Sequence, residues 1–158
     1  MLGALDKKLG LPYNFNQGES MNNLSASQED YLELICNSLE TNESVKAVEL
    51  ARKLNVSRAS VSEALSKLAE KNLIVYEGHK GITITPEGMK KAQEVIAKHN
   101  TLTSFFENIL GLNSETAEET ACKIEHVISN EVFAKFQNFE KYCSENIKFI
   151  SRFKEEHK

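Results

Sequence analysis

Cysteine is scarce in this sequence, and long hydrophobic runs are missing from it. Three cysteines, Cys36, Cys122 and Cys143, are scattered through 158 residues, and their odd number and wide spacing argue against a disulfide framework. No stretch approaches the roughly 20 apolar residues that a membrane-spanning helix needs. The first residues lack the basic segment and apolar core of a secretory signal. These absences argue against a disulfide-stapled secreted domain and a membrane protein, so we expect a cytoplasmic protein with free thiols.

Neither sign of charge dominates the chain, but the two signs are unevenly distributed. There are 19 Lys and Arg residues against 23 Asp and Glu, a net charge of −4, and 41% of residues are hydrophobic. This composition is typical of a globular chain with one domain or two small ones. Residues 44–90 hold eight basic and five acidic residues, a net +3, which leaves −7 for the remainder. A basic segment between acidic flanks suits a phosphate-binding surface, although a solvated surface gives similar counts.

The N-terminal half predicts a leader followed by a helix-turn-helix. Residues 1–26 have no sustained apolar period, so we expect them to be mostly unstructured. Ser27 is a candidate N-cap for a first helix that ends near residues 41–42. Two short helices follow, joined by a tight turn at Asn55 and with Ser57 as the second N-cap. Their apolar residues recur with helical spacing at Ala47, Leu50, Ala51 and Leu54, and again at Val61, Ala64, Leu65 and Leu68.

A hairpin and a series of helices are predicted beyond the helix-turn-helix. The segments LIVY and ITIT flank EGHKG, which suits a β-hairpin turn and adds a wing. Thr85-Pro86-Glu87 is typical of a helix start, and we expect this helix to end near His99. After a break over 110–113, the pattern predicts one helix over about 114–139 and a shorter one over 142–153. The expected fold is mainly α, a winged-helix head on a helical body.

The second helix of the helix-turn-helix has polar residues where DNA-reading helices present side chains to base edges and phosphates. Arg58 is the candidate guanine reader or phosphate clamp. Any one of these residues could instead cap or solvate the helix, but the turn, the wing and the local positive charge together favour DNA binding. The candidate DNA contacts are Ser57, Arg58, Ala59, Ser60, Ser62, Lys67 and Lys80.

A second group of residues has the chemistry of a metal site. Cys122, Glu125 and His126 stand at i, i+3 and i+4, which places a thiol, a carboxylate and an imidazole on one helical face. These ligand types suit a divalent transition metal. The spacing alone slightly favours a small buried cysteine beside two surface polar residues, because such short coincidences are common and neither an HExxH nor a paired CxxC motif is present.

Three further residues allow both a metal-binding and a structural interpretation. Asp30 and Glu33 form an i, i+3 carboxylate pair on the first helix, yet Asp30 could belong to a capping box. His99 could be a cation favoured by the dipole at a helix C-terminus. Nothing in the sequence resembles a nucleophile with its base, a phosphate loop or a pair of acid/base carboxylates, so we do not expect an enzyme.

Together, these segments resemble the diphtheria toxin repressor family of metal-dependent transcriptional repressors, including its manganese-responsive branch. The resemblance covers about residues 27–139 and rests on SQEDYLELI, VSRASVSEALSKL, GITITPEG, KHNTLTSFF and ACKIEHVISNEVFAKF, five segments in the family's order. It implies a winged helix-turn-helix DNA-binding domain over 27–98 and a helical dimerisation and metal-binding domain over 99–158. It also implies the shorter plan of the manganese branch, without the SH3-like third domain of longer iron-dependent members.

The resemblance also implies a set of metal ligands. The family's metal positions match Asp30, Glu33, His99, Cys122, Glu125 and His126. Asp30 and Glu33 have the identities of the manganese branch, whereas Cys122 has that of the iron branch, so the implied site is a hybrid. Thr103 stands where the iron branch has an ancillary glutamate, and Glu118 and Glu119 are weaker candidates for such an ancillary site.

The implied function is a metal-dependent repressor of metal-uptake genes that binds palindromic operator DNA as a homodimer. A thiolate favours Fe(II), Co(II), Ni(II) or Zn(II), and the carboxylates suit Mn(II), so we expect Fe(II) first and Mn(II) second. Zn(II), Co(II) and Ni(II) are further ions that can bind in vitro. Two alternatives stay open. One is a winged-helix regulator that responds to an organic ligand or to thiol oxidation, and the other is a metal-buffering or protein-binding module.

Overall fold

The computed structural model describes residues 24–40, 45–77 and 81–156, and this part of the chain is mainly helical. The predicted fold class is confirmed, because a winged helix-turn-helix precedes a helical body. We call α1 to β2 the head and the π-helical segment to α7 the body; α4 connects them. In chain order the elements are α1 (Ala26–Glu40), α2 (Ala47–Lys53), α3 (Arg58–Glu70), β1 (Ile74–Tyr76), β2 (Ile82–Ile84), α4 (Pro86–Ser104), a π-helical segment (Phe105–Ile109), α5 (Ser114–Glu125), α6 (Asn130–Glu145) and α7 (Ile147–Glu156).

Helix α1 begins with a capping box at Ser25 and Gln28, not at the predicted Ser27. The Ser25 hydroxyl accepts a hydrogen bond from the Gln28 amide at 3.3 Å, and the Gln28 side-chain oxygen accepts one from the Ser25 amide at 3.1 Å. The prediction of Ser27 as the cap is wrong because Ser25 and Gln28 satisfy two amides reciprocally. Asp30 therefore lies beyond the capping box, and its carboxylate is available for tertiary contacts. Of the predicted leader, only residues 24–26 belong to the described part of the chain.

The helix-turn-helix forms as predicted because its turn and its second cap are encoded locally. Asn55 adopts a left-handed conformation with φ 53°, which closes the turn between α2 and α3. Ser57 caps α3, its hydroxyl accepting a hydrogen bond from the Ser60 amide at 3.0 Å. The apolar faces of these helices meet α1 in the core of the head. That core includes Leu32, Ile35, Leu50, Val61, Leu65 and Leu68.

The wing is a two-stranded antiparallel hairpin that leads directly into α4. The residues of its turn, 78–80, lie outside the described part of the chain. Thr85 caps α4 as predicted: it accepts a hydrogen bond from the Gly88 amide at 3.0 Å and donates one to the Leu73 carbonyl at 3.0 Å. A Cβ at Gly88 would lie 1.9 Å from that carbonyl oxygen. Only glycine therefore allows α4 to start this close to the chain entering β1, which fixes α4 on the head.

Helix α4 runs beyond the predicted end at His99. It continues to Ser104 and passes into the π-helical segment, and the predicted break over 110–113 then follows. No glycine or proline interrupts residues 99–109, and Leu102 is fully buried in the cluster that joins α4 to α5. Burial of this side chain stabilises the extra turns. His99 lies inside the helix, so its interpretation as a C-terminal cation is wrong.

The sequence predicted two C-terminal helices, over 114–139 and 142–153. In the part of the chain that the structure describes, this region forms three helices, α5, α6 and α7. The Ser129 hydroxyl accepts a hydrogen bond from the Val132 amide at 3.3 Å and starts α6 as a new helix. The apolar pattern did not reveal this break because the hydrophobic residues keep the same helical spacing on both sides of it. Only the serine N-cap marks the start of the new helix. The break places His126 at the C-terminal end of α5, where it reaches the head.

Two hydrophobic clusters lie along α4. The cluster of the head includes Ala92, and the cluster of the body includes Leu102 with Phe106, Ala117 and Ala121. The boundary between domains at residues 98 and 99 stays a prediction. Within the ranges described, no helix combines the length and the apolar character that crossing a bilayer requires.

Candidate metal centre

Helices α1, α4 and α5 converge at the junction between head and body. Ala117 and Ala121 of α5 are fully buried in one cluster with Leu102 of α4, and these small side chains allow the two helices to approach closely. Glu125 follows Ala121 by one helical turn and therefore projects from the same face. Its side chain is 1% exposed. The close approach of α4 and α5 thus carries a carboxylate into the interior.

Four side chains come together at this junction, which we call the junction cluster: Asp30, Cys122, Glu125 and His126. Each offers one ligand atom, and these atoms all lie within 4.8 Å of one another. Asp30 belongs to α1 of the head, and the other three belong to α5 and its C-terminus in the body. Two carboxylates, a thiol and an imidazole therefore face one point from both sides of the junction.

Glu125 is the buried centre of the cluster. Its Oε2 atom lies 2.7 Å from His99 Nδ1 and is paired with it. Its Oε1 atom is buried and accepts no hydrogen bond from the described residues, although His126 Nε2 lies 3.2 Å away. A buried anionic oxygen without a donor is costly, and a cation is the partner that removes this cost.

His126 has carboxylates on both ring nitrogens. Its Nε2 atom lies 2.9 Å from Asp30 Oδ1, and its Nδ1 atom lies 2.7 Å from Glu29 Oε2. Burial opposes protonation of this ring, but the hydrogen bond with Glu29 and the charges of Asp30 and Glu125 outweigh it and raise the pKa of His126. The sequence did not single out Glu29, because nothing local connects two residues on helices so far apart in the chain.

His99 is the second imidazole of the junction. Its Nδ1 atom faces Glu125, and its Nε2 atom lies 2.9 Å from Glu118 Oε2. The hydrogen bond with Glu125 is the main reason that the pKa of His99 rises from 6.5 to about 9, with Glu118 adding to the rise and burial opposing it. Of the two weaker ancillary candidates, Glu118 thus lies beside His99, whereas Glu119 pairs with Lys123 at 3.5 Å on an exposed surface.

Three acidic groups around Glu125, namely Asp30, Glu33 and Cys122, have raised pKa values. Burial raises the pKa of Asp30 and of Glu33, and the charge of Glu125 adds to the rise in both, although His126 opposes it in Asp30 and His99 opposes it in Glu33. Partial burial and the charge of Glu125 likewise raise the pKa of the Cys122 thiol. Glu33 is half-buried and lies outside the junction cluster itself. Negative charge is thus concentrated here beyond what the two imidazoles neutralise.

These observations fit a divalent transition metal. The orphaned Glu125 oxygen and the raised pKa values of the surrounding acids each indicate a site short of positive charge. The donors are those that such ions take, a thiolate, an imidazole and carboxylates. Thr103, at the position of the family's ancillary glutamate, has a buried hydroxyl without a hydrogen-bond partner among the described residues. It supplies no anionic ligand, and the assignment of individual ligands stays a prediction.

Those predicted DNA contacts that the structure describes lie on α3 and at its N-cap. The Ser57 hydroxyl is engaged in capping, and Lys67 forms a 2.7 Å ion pair with Glu63, while Lys80 lies outside the described residues. That these side chains contact DNA stays a prediction. The described candidates are all exposed: Ser57, Arg58, Ala59, Ser60, Ser62 and Lys67.

Two family models together match most of this chain. The model described as the N-terminal DNA binding domain of the iron dependent repressor matches residues 23–82. The model described as the metal binding and dimerisation domain of the iron dependent repressor matches residues 85–148. The first match covers the head up to the first residue of β2, and the second begins at the N-cap of α4, so the junction cluster draws residues from both.

Curated proteins of similar sequence are transcriptional regulators. An uncharacterized HTH-type transcriptional regulator of Methanocaldococcus jannaschii is 39% identical over 117 residues, which cover 73% of this chain and 94% of that protein. The transcriptional regulator MntR of Escherichia coli is 33% identical over 111 residues, which cover 70% of this chain and 71% of that protein.

A solved structure of similar fold is described as a manganese-dependent transcriptional repressor in complex with manganese. It superimposes with a TM-score of 0.65 at 29% identity over 70% of this chain. The chain spans about half of that protein, 51% of its length.

Proposed function

This chain belongs to the diphtheria toxin repressor family of metal-dependent transcriptional repressors, and from that premise we propose that it represses metal-uptake genes in response to Fe(II), with Mn(II) second. The observation that carries the proposal is the junction cluster, in which Asp30 of the head and Cys122, Glu125 and His126 of the body offer ligand atoms within 4.8 Å. A ligand set divided in this way links occupancy of the site to the position of the DNA-binding head.

In this proposal the four residues of the junction cluster hold the ion, and Glu33 and His99 lie beside them as further ligands. A bound divalent ion supplies positive charge to a place where carboxylates from α1 and α5 face one another. Glu125 contributes the buried oxygen that lacks a hydrogen-bond donor among the described residues. Asp30 and Glu33 contribute from α1, which shares its core with α3, the proposed recognition helix for DNA.

The donor set decides which metals suit the site. The Cys122 thiolate is soft and favours Fe(II), Co(II), Ni(II) or Zn(II), whereas the carboxylates of Asp30, Glu33 and Glu125 are hard and suit Mn(II). Zn(II), Co(II) and Ni(II) bind tightly in vitro by the general order of divalent affinities, so availability in the cell selects among the ions. Ligation needs a deprotonated thiol and neutral imidazoles, which makes the affinity fall in mild acid.

Metal dependence follows from the place of the ligands. If α1 and α5 are held together, the recognition helix keeps a fixed orientation relative to the body and hence to the partner subunit's head. A tenfold metal-dependent gain in operator affinity requires that the site favour this arrangement by about 1.4 kcal/mol, a modest coupling. Arg58 and the serines around it then meet the major groove, and Lys67 and Lys80 meet the phosphate backbone.

A homodimer gives this arrangement its symmetry. The body exposes large apolar side chains on α6 and α7, and a second copy that covered them would remove apolar surface from water. Two heads related by a two-fold axis bind two half-sites, so the operator is palindromic. The exposed apolar side chains are Val132, Phe139, Tyr142, Ile147 and Phe149.

The proposal is tested by removing two ligands together. The double variant Cys122→Ser with Glu125→Gln should lose metal-dependent operator binding in anaerobic titrations with Fe(II) and Mn(II), since a thiolate and a buried carboxylate are both gone. Glu119→Gln is the matched control, because that carboxylate lies on α5 and pairs with Lys123 on an exposed surface. An undiminished metal response of the double variant would contradict the proposal.

A second candidate, a regulator that responds to thiol oxidation, draws support from the exposure of Cys122. Against it stands the raised pKa of this thiol, because the thiolate is the form that oxidants attack. The two candidates separate in one experiment. Operator binding that needs no metal and changes with peroxide would favour the oxidation response.

A further inference from the structure

The two nitrogens of the His126 ring face opposite sides of the junction cluster. Its Nε2 atom faces inward, 2.9 Å from Asp30 Oδ1 and 3.2 Å from Glu125 Oε1. Its Nδ1 atom faces the other way and lies 2.7 Å from Glu29 Oε2. The side chain of His126 is 8% exposed, so its orientation is set by these partners. The outer partner, Glu29, is not among the proposed ligands.

A neutral imidazole carries a proton on one nitrogen and a lone pair on the other. A carboxylate beside one nitrogen attracts the N–H to that side and leaves the lone pair on the opposite side. Carboxylates lie beside both nitrogens of His126, so a cation in the junction cluster would exclude the proton from Nε2, and the Glu29 carboxylate would then accept the hydrogen bond from Nδ1–H. The lone pair of Nε2 would then be available to a cation held with the oxygens of Asp30 and Glu125, which lie 2.9 Å and 3.2 Å from Nε2.

We propose that Glu29 is a positioning residue of the metal site, which accepts a hydrogen bond from Nδ1–H of His126 and keeps the Nε2 lone pair of that ring available to a cation held with Asp30 and Glu125. The inference rests on the proposed function, because His126 is one of the proposed ligands. It extends that function by giving a residue of the head control over the geometry of a ligand of the body.

The position of Glu29 in the fold explains why its contact with His126 links the head to a ligand of the body. Glu29 lies on α1, one residue before Asp30, and His126 ends α5, so their bond crosses the junction. Movement of the head away from the body would separate Glu29 from His126 together with Asp30. The head therefore contributes both a ligand and the orientation of another ligand.

The second imidazole offers an internal comparison. His99 has Glu125 on Nδ1 and Glu118 on Nε2, a similar pairing of an inner and an outer carboxylate. Both of these partners belong to α5, and the Glu118 side chain is 56% exposed. Loss of Glu118 should affect His99 without affecting the orientation of His126, whereas loss of Glu29 should do the reverse.

The test uses the full chain labelled with 15N-histidine and loaded with 113Cd(II) as the probe. We expect 113Cd–15N coupling to Nε2 of His126 in the wild type. In Glu29→Leu we expect Cd(II) affinity to fall about 10- to 100-fold, the range for loss of a partner behind a metal-binding histidine. We also expect coupling to Nδ1 to appear, because the carboxylate that holds the proton there is gone. Glu29→Gln retains an acceptor oxygen and should restore coupling through Nε2.

Controls separate positioning from folding and from charge. Glu119→Leu removes a carboxylate of α5 that pairs with Lys123, and it should keep the wild-type affinity and coupling. Unchanged affinity and coupling in Glu29→Leu would overturn the inference, as would weaker binding that still uses Nε2 alone, because the loss would then reflect charge. Failure of the wild type to bind Cd(II) through His126 would instead contradict the proposed function, so the two failures are distinguishable.

Discussion

Polar side chains differ in exposure and in the origin of their partners between the recognition helix, α3, and the junction cluster. On α3 the polar side chains are exposed and pair within one turn, as Ser57 does with Ser60 and Lys67 with Glu63. At the junction, Glu125 and His126 are buried or nearly so, and their partners come from other helices. An exposed local pair is solvated with or without a ligand, whereas a buried group of acids needs a compensating charge. The first surface thus suits the proposed DNA contact, and the second suits the proposed cation.

The largest effect is expected where the head is joined to α4 by local geometry. Gly88→Ala would place a Cβ 1.9 Å from the Leu73 carbonyl oxygen, so we expect the free energy of unfolding to fall by about 4 kcal/mol. Gly111→Ala is the graded control: its φ of 76° is unfavourable, but the nearest atoms are 3.7 Å away, so about 1 kcal/mol is expected. Urea titration of both variants measures the difference, and equal losses would contradict the close approach.

The next effect distinguishes the junction from the head. Glu125→Gln should reduce Mn(II) affinity by more than the roughly 100-fold that loss of an outer partner can cost, because it removes the negative charge of the buried ligand itself and replaces one of its oxygens with an NH2 group. Ser62→Ala on α3 should leave Mn(II) affinity unchanged. Isothermal titration with Mn(II) compares the two variants. Equal affinities would mean that the junction is an internal salt-bridge network without a metal.

Arg58→Ala gives the complementary result on the head. We expect operator affinity to fall by about 1–3 kcal/mol if this exposed side chain reads a base, and Mn(II) affinity to remain that of the wild type. Fluorescence anisotropy at several salt concentrations provides the measurement. Binding weakened equally for all sequences would reassign Arg58 to the phosphate backbone, and unchanged binding would remove it from the interface.

The smallest effect is a pH dependence of the metal-free protein. The hydrogen bond with Glu125 raises the pKa of His99 from 6.5 to about 9, so the folded state binds this proton more tightly than the unfolded state. The resulting stability is fully present below pH 6.5 and is lost as the pH rises to about 9. Urea midpoints of the chelator-treated protein should fall over this range.

His99→Gln is the control for this pH dependence, and its urea midpoints should fall less over the same range. An equal fall in the variant and the wild type would assign the dependence to other groups. The pH dependence belongs to the junction, since the exposed polar residues of α3 pair locally and do not include a histidine.

The head was more predictable from the sequence than the junction. The turn at Asn55 and the caps at Ser57 and Thr85 depend on residues within three positions, and the structure contains all of them. Errors occurred where two local signals competed. Ser25 and Ser27 are both plausible caps, and only the glutamine three residues after Ser25 makes its amide pairing reciprocal.

The junction required information that a local pattern does not contain. The spacing of Cys122, Glu125 and His126 gave their common face, but only the family resemblance connected them to Asp30. The contact between Glu29 and His126 had no signal in the sequence, because it depends on how α1 and α5 meet. The helix break after His126 was also missed, and without that break the ring would not end α5.

The central claim is that a metal at the junction controls the head, and the most direct test is binding of the wild-type protein to a pool of promoter fragments from its own genome. The measurement is made anaerobically at fixed salt, with and without Fe(II), Mn(II) and Zn(II). The account predicts that specific fragments are retained only when metal is present, with Fe(II) or Mn(II) effective. Retention of the same fragments in the presence of a chelator would contradict it.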